Sequence, residues 1–152
     1  MNRKPLVVIL VLLVLLGSSP LTQGYSSGVY NRSSGCGCHS QSGSTAATVS
    51  LTGHPAQYTA GATSTLSISV SNGVSGTNGG FSLEVDKGSL SSGVGFAVNV
   101  NSAQNSATHS ITGSSQRSWS VDWTAPSTGS GIVTLSVAGM TANGAGGNSG
   151  DR

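Results

Sequence analysis

Leu66-Ser67-Ile68-Ser69-Val70 alternates apolar and serine residues without a break. A two-residue period puts the apolar side chains on one face and the hydroxyls on the other, so the segment must be a strand with one face buried. The same period recurs in Val49 and Leu51, in Phe81, Leu83 and Val85, and in Phe96, Val98 and Val100. It returns in Trp119, Val121 and Trp123, then in Val133, Leu135 and Val137, and Thr108 to Ile111 can add a short strand. Turn residues separate the runs: Asn72-Gly73, Asn78-Gly79-Gly80, Lys87-Gly88, Gly113, Pro126 and Gly129 to Gly131. Past the N-terminal apolar run there is no helical period. Several short strands with regular turns predict an all-β chain folded as an antiparallel β-sandwich. Trp119 and Trp123 are four apart on one strand, face the same side and are read as core.

The first 24 residues read as a signal peptide. Arg3 and Lys4 precede an unbroken apolar run, Leu6 to Leu16, and small and polar residues follow. That run of about 11 residues is short of the ~20 needed to span a bilayer. Cleavage is expected after Gly24, giving a secreted or cell-surface protein. The remaining chain suits one domain. It divides into an irregular segment, 25–47, and a sandwich, 48–152. Its charges balance: Arg32, Lys87, Arg117 and Arg152 against Glu84, Asp86, Asp122 and Asp151. Charged residues are 7% of the chain. No basic patch exists, which argues against nucleic acid as a partner. Asn31-Arg32-Ser33 is an N-glycosylation sequon.

The chain's two cysteines lie together in Gly35-Cys36-Gly37-Cys38-His39. Cys-x-x-Cys-His attaches c-type haem, with two thioethers to the porphyrin and the histidine on iron. Here one spacer is missing. On the haem reading Cys36 and Cys38 supply the thioethers and His39 the proximal ligand. Gly37 helps, because a contracted loop needs unusual backbone angles. Two other readings stand beside it. The thiols can close a small local disulfide in an oxidising compartment. Alternatively, the cluster can hold Zn²⁺ or copper through sulfur and imidazole. Further iron ligands could come from His54, His109 or Met140. Met140 reads more simply as packing, and His54, before Pro55, as a loop residue.

Catalysis finds little support. The chain has no Gly-x-Ser-x-Gly, no His-Glu-x-x-His and no P-loop. Glu84 and Asp86 share a strand face but read as solvated carboxylates before a turn. No enzyme activity and no small-molecule substrate are expected.

Five ordered elements resemble a known family. They are Gly61 to Val70, Gly79-Gly80-Phe81-Ser82-Leu83, Thr108-His109-Ser110, Trp119 to Pro126 ending in Trp-Thr-Ala-Pro, and Asn143-Gly144 with Ser149-Gly150-Asp151. Together they are similar to Reeler-like domains, whose prokaryotic branch is the choice-of-anchor V domain. The resemblance runs over roughly residues 35 to 151. It implies an immunoglobulin-like β-sandwich outside the cytoplasm, although both cysteines lie outside the strands and no inter-sheet disulfide is available. Many members carry a Cys-x-x-Cys-His segment ahead of the sandwich, and Gly35 to Gly43 occupies that place. The family's Thr-His-Ser element makes His109 the preferred sixth iron ligand. Departures are the shortened cysteine spacing, Ala60-Gly61 in place of Pro-Gly, and an ending at Asp151-Arg152. The first expectation is therefore an extracytoplasmic haem-c protein in electron transfer, with redox proteins of the cell envelope as partners. The alternative is a secreted adhesion or structural module whose cysteines form a disulfide or metal clip.

Overall fold

The computed structural model describes residues 25–34, 46–147 and 150–152. Within them lie eight strands: β1 (Ala47–Thr52), β2 (Thr63–Asn72), β3 (Gly79–Val85), β4 (Ser89–Ser91), β5 (Val98–Val100), β6 (Ser106–His109), β7 (Ser118–Thr124) and β8 (Leu135–Thr141). A single 3-10 turn, Thr112–Ser115, precedes β7. The strands form two four-stranded sheets, ordered β1-β2-β7-β4 and β5-β6-β3-β8. Every pairing is antiparallel. The molecule is an antiparallel β-sandwich, as the alternation requires.

The core is made by the predicted inward residues. Leu66, Ile68 and Val70 of β2, Phe81, Leu83 and Val85 of β3, and Trp119, Val121 and Trp123 of β7 are all buried. Burying a side chain of this size stabilises by roughly 1.5–3 kcal/mol. The two indoles also satisfy their polar atoms. Trp119 Nε1 donates to the Gly113 carbonyl at 2.9 Å and Trp123 Nε1 to the Lys87 carbonyl at 3.1 Å. The chain from Thr141 onward folds back, and Thr141 and Arg152 exchange both backbone hydrogen bonds.

The structure departs from the alternation in four places. Phe96, expected on the inner face beside Val98 and Val100, is 89% exposed. Here the chain crosses from β4 in one sheet to β5 in the other. Gly95 takes φ +101 at the crossing, a backbone angle that suits glycine. The Phe96 carbonyl is then held by the Ser110 and Thr112 hydroxyls, and its ring is left outside. Ile111 is also exposed, because β6 ends at His109. β8 begins at Leu135 rather than at Val133 and runs on to Thr141, with Gly139 opposite Phe81. Finally, Ser89–Ser91 forms a three-residue strand beside β7 that has too few residues to show a period.

Candidate functional site

Tyr25 to Ser34, expected to be irregular, is tied down across the outer face of the β5-β6-β3-β8 sheet. Leu83 and Ala107 sit opposite each other and face the core. Their neighbours Ser82, Glu84, Ser106 and Thr108 therefore point outward. Three consecutive amides of the N-terminal segment reach those side chains. Asn31 N donates to Ser106 Oγ at 3.0 Å, Arg32 N to Ser82 Oγ at 3.1 Å and Ser33 N to Glu84 Oε1 at 2.8 Å. This strap explains why Ser82, Ser106 and Thr108 are buried although they lie on an outer face: buried polar groups need partners, and strap amides supply them at Ser82 and Ser106, while the Thr108 hydroxyl, covered by the strap at Gly28, donates to the Phe81 carbonyl at 2.6 Å. Ser33, through its side chain first and its amide second, holds the Glu84 carboxyl below its ordinary pKa. At Gly28 the strap comes so close that a Cβ would collide with the Thr108 side chain, and φ is +73.

His109 lies at the head of the strap. Its ring stands against Gly80, where an added Cβ would fall 2.5 Å from Cε1. It also sits near Phe81 and Trp119, with centroids 6.5 and 6.4 Å away. The Phe81 amide donates to Nδ1 at 3.3 Å, so in the neutral ring the proton sits on Nε2. Burial pushes the His109 pKa down, and hydrogen bonds with the Phe81 and Tyr25 backbones oppose this without cancelling it. The ring is thus a neutral peg between the strap and the core. A cavity of about 400 Å³ opens beside it, lined by Tyr25, Asn78, His109, Met140 and Asp151 among others. The Asp151 carboxylate accepts the Asn143 amide at 2.9 Å, which ties the Gly-Asp ending to the Asn-Gly turn.

The other sequence candidates are placed as follows. Cys36, Cys38 and His39 lie outside the described residues. The strap before them is docked at Glu84, and the described chain after them enters β1, where Ala47 pairs with Asn72. His109 and Met140 share one cavity. His54 is exposed and lines a separate depression with Leu51, Pro55, Trp123, Val133 and Leu135. Glu84 receives the strap, while Asp86 Oδ1 accepts the Thr134 amide at 2.7 Å. Lys87 Nζ donates to the Ser130 and Ile132 carbonyls, clamping the same loop. Among the described residues no three His, Cys, Asp or Glu side chains group to hold a metal ion. What the sequence did not reveal is the strap itself: it docks through backbone amides, which carry no residue-type signal.

The fold is similar to that of solved reeler domains. The Reelin-N domain of F-spondin is 20% identical, with 74% of this chain and 77% of that chain covered and a TM-score of 0.46. Two structures of the human F-spondin reeler domain give a TM-score of 0.47 each. The first is 19% identical, covering 72% of this chain and 79% of that one; the second is 20% identical, covering 68% and 83%. No family model matches the chain, and no curated protein does.

Proposed function

We propose that this chain is an extracytoplasmic Reeler-like module that binds through its surface rather than catalysing a reaction. One observation carries this. The strap lies across the outer face of one sheet, and among the described residues no segment crosses the outer face of the other in that way. That other face is lined almost wholly by hydroxyls: Thr48, Ser50, Thr52, Thr63, Thr65, Ser67, Ser71, Ser118, Ser120 and Ser91 are all exposed there. An exposed face with so little charge is a surface for contact with neutral polar partners. The signal-peptide reading supplies the location. Sequencing the N-terminus of protein recovered from the native host's medium or cell surface tests it. Mature protein beginning at Tyr25 is expected; a chain retained inside the cell with Met1 intact would contradict the proposal.

The second reading, covalent haem, is favoured by Cys36, Cys38 and His39 following directly on the docked strap. The donor set suits the group: two thiols for thioethers and an imidazole for iron. Bound haem would supply a redox-active iron for electron exchange with envelope redox proteins. His109 would serve as a sixth ligand only by giving up the Phe81 amide or the Tyr25 backbone, since both are hydrogen-bonded to it. A bound Zn²⁺ or copper ion, or a Cys36–Cys38 disulfide, is the remaining use of the same residues. A pyridine haemochrome spectrum separates these outcomes, on protein made with c-haem maturation genes and extracted with acid–acetone. A c-type band surviving extraction supports covalent haem; no band, with a mass two hydrogens light, supports the disulfide.

A further inference from the structure

We infer that the protein carries a membrane-binding tip: Val94, Phe96 and Ile111, on two loops locked together at one end of the sandwich, insert into the headgroup–acyl boundary of a lipid bilayer. Val98 pairs with His109 in the β5-β6 ladder. The chain before Val98 and the chain after His109 therefore run past the same end of the sheet. There Val94, Phe96 and Ile111 are 101%, 89% and 68% exposed. Single apolar side chains scattered over a surface are ordinary, whereas a group of them on adjoining loops marks a contact. The chain on either side of the cysteine segment leaves this end bare. Ser33 docks on β3 and Ala47 opens β1, both away from the β4 and β5 edges where the tip lies.

Three observations favour a bilayer as the occupant. The first is that the loops bond their own carbonyls. The Phe96 carbonyl accepts the Ser110 and Thr112 hydroxyls, which flank Ile111. The Ala97 carbonyl accepts the Ser110 amide at 2.8 Å. The Ile111 and Thr112 carbonyls accept the Ser114 and Ser115 hydroxyls at 2.8 and 3.1 Å, and the Gly113 carbonyl accepts the Trp119 indole at 2.9 Å. Moving a carbonyl from water toward lipid is costly unless it is bonded internally, as these are. The second is charge. From Gly88 to Gln116 the chain holds no Asp, Glu, Lys or Arg, and its one histidine, His109, is buried. Of the charged groups nearby, Asp122 approaches Gly93 but accepts the Thr65 hydroxyl, and Arg117 donates to the Asn78 and Val74 carbonyls. Insertion of the tip therefore strips water from no ion. The third is size. Three such side chains offer at most roughly 500 Å², short of the ~800 Å² that each partner buries in a stable protein interface. A bilayer needs no matching surface. The apolar bulk is similar to that of one myristoyl chain, which binds membranes weakly and reversibly with a constant of about 10⁴ M⁻¹.

This inference goes beyond the hydroxyl-face reading, and its test depends neither on that face nor on where the protein resides. The full secreted protein is floated with phosphatidylcholine vesicles, with and without phosphatidylserine, at low and high salt. About half should float at roughly 0.1–1 mM accessible lipid. Anionic lipid and salt should change this little, because the tip has no Lys or Arg to attract anionic headgroups. Val94→Ser/Phe96→Ser/Ile111→Ser should weaken flotation about tenfold or more. Ile132→Ser removes an exposed apolar side chain from the loop that Lys87 holds and should float like the wild type. These side chains face solvent, and both variants are checked for an unchanged unfolding midpoint. In Phe96→Trp the new indole's emission should shift to the blue when vesicles are added, the two native indoles being buried already. No flotation of the wild type at ten times that lipid concentration would overturn the inference. So would flotation with anionic vesicles alone, or flotation that the triple variant retains. A concentration-dependent dimer that the triple variant abolishes, with no flotation, would overturn it in favour of a second copy of the chain.

Discussion

His109 shows how one side chain can be a ligand candidate in the sequence and a structural peg in the fold. Its Nδ1 lone pair receives the Phe81 amide, and that requires the neutral ring. Its folded pKa is lowered by burial, so the unfolded chain binds the proton more readily. Stability from this residue is complete above the unfolded pKa, about 6.5, and falls as pH drops through that value toward the lower folded one. Glu84 behaves differently. Its pKa is lowered from 4.5, so its contribution is lost only at more acid pH. Urea unfolding at pH 7.5 and 5.5 should show the wild type weakening at the lower pH. His109→Gln, which keeps a neutral acceptor, should lose most of that pH dependence. An equally steep dependence in the variant would show that His109 is not buried as a neutral peg.

At the scale of elements, the strands could be read in the sequence because their inner faces are apolar and their outer faces are hydroxyl. Leu66-Ser67-Ile68-Ser69-Val70 is the clearest case, and its partners in β3 and β7 follow the same rule. Phe96 misled because its neighbours Val98 and Val100 share its period, while a crossing between sheets before Val98 is set by Gly95 and by hydroxyls at Ser110 and Thr112. The strap was not legible at all. Three of its contacts are made by backbone amides, which carry no residue-type signal, and the excess of buried Ser and Thr on β3 and β6 marks its path. The strap can be tested at Gly28. Gly28→Ala should cost about 1–3 kcal/mol of local stability, from a non-glycine residue at positive φ and the clash with Thr108. Trypsin should then cut after Arg32 faster in the variant than in the wild type. Equal cutting rates would mean the strap is not held as described.

At the scale of the molecule, the described residues pack two four-stranded sheets around one core, with the strap across the outer face of one of them. The candidate site was only partly legible for a related reason. The cysteine motif is conspicuous as text, whereas the hydroxyl face looks like ordinary strand polarity until the register aligns Ser67 with Ser120 and Ser69 with Ser118. The measurement that bears most directly on a self-sufficient surface module is thermal unfolding of secreted Cys36→Ala/Cys38→Ala protein beside the wild type, with an absorption spectrum of each. The account predicts the same midpoint, a cooperative transition and no visible chromophore lost. A markedly lower midpoint together with loss of a haem spectrum would contradict it and make the cysteine segment the functional centre.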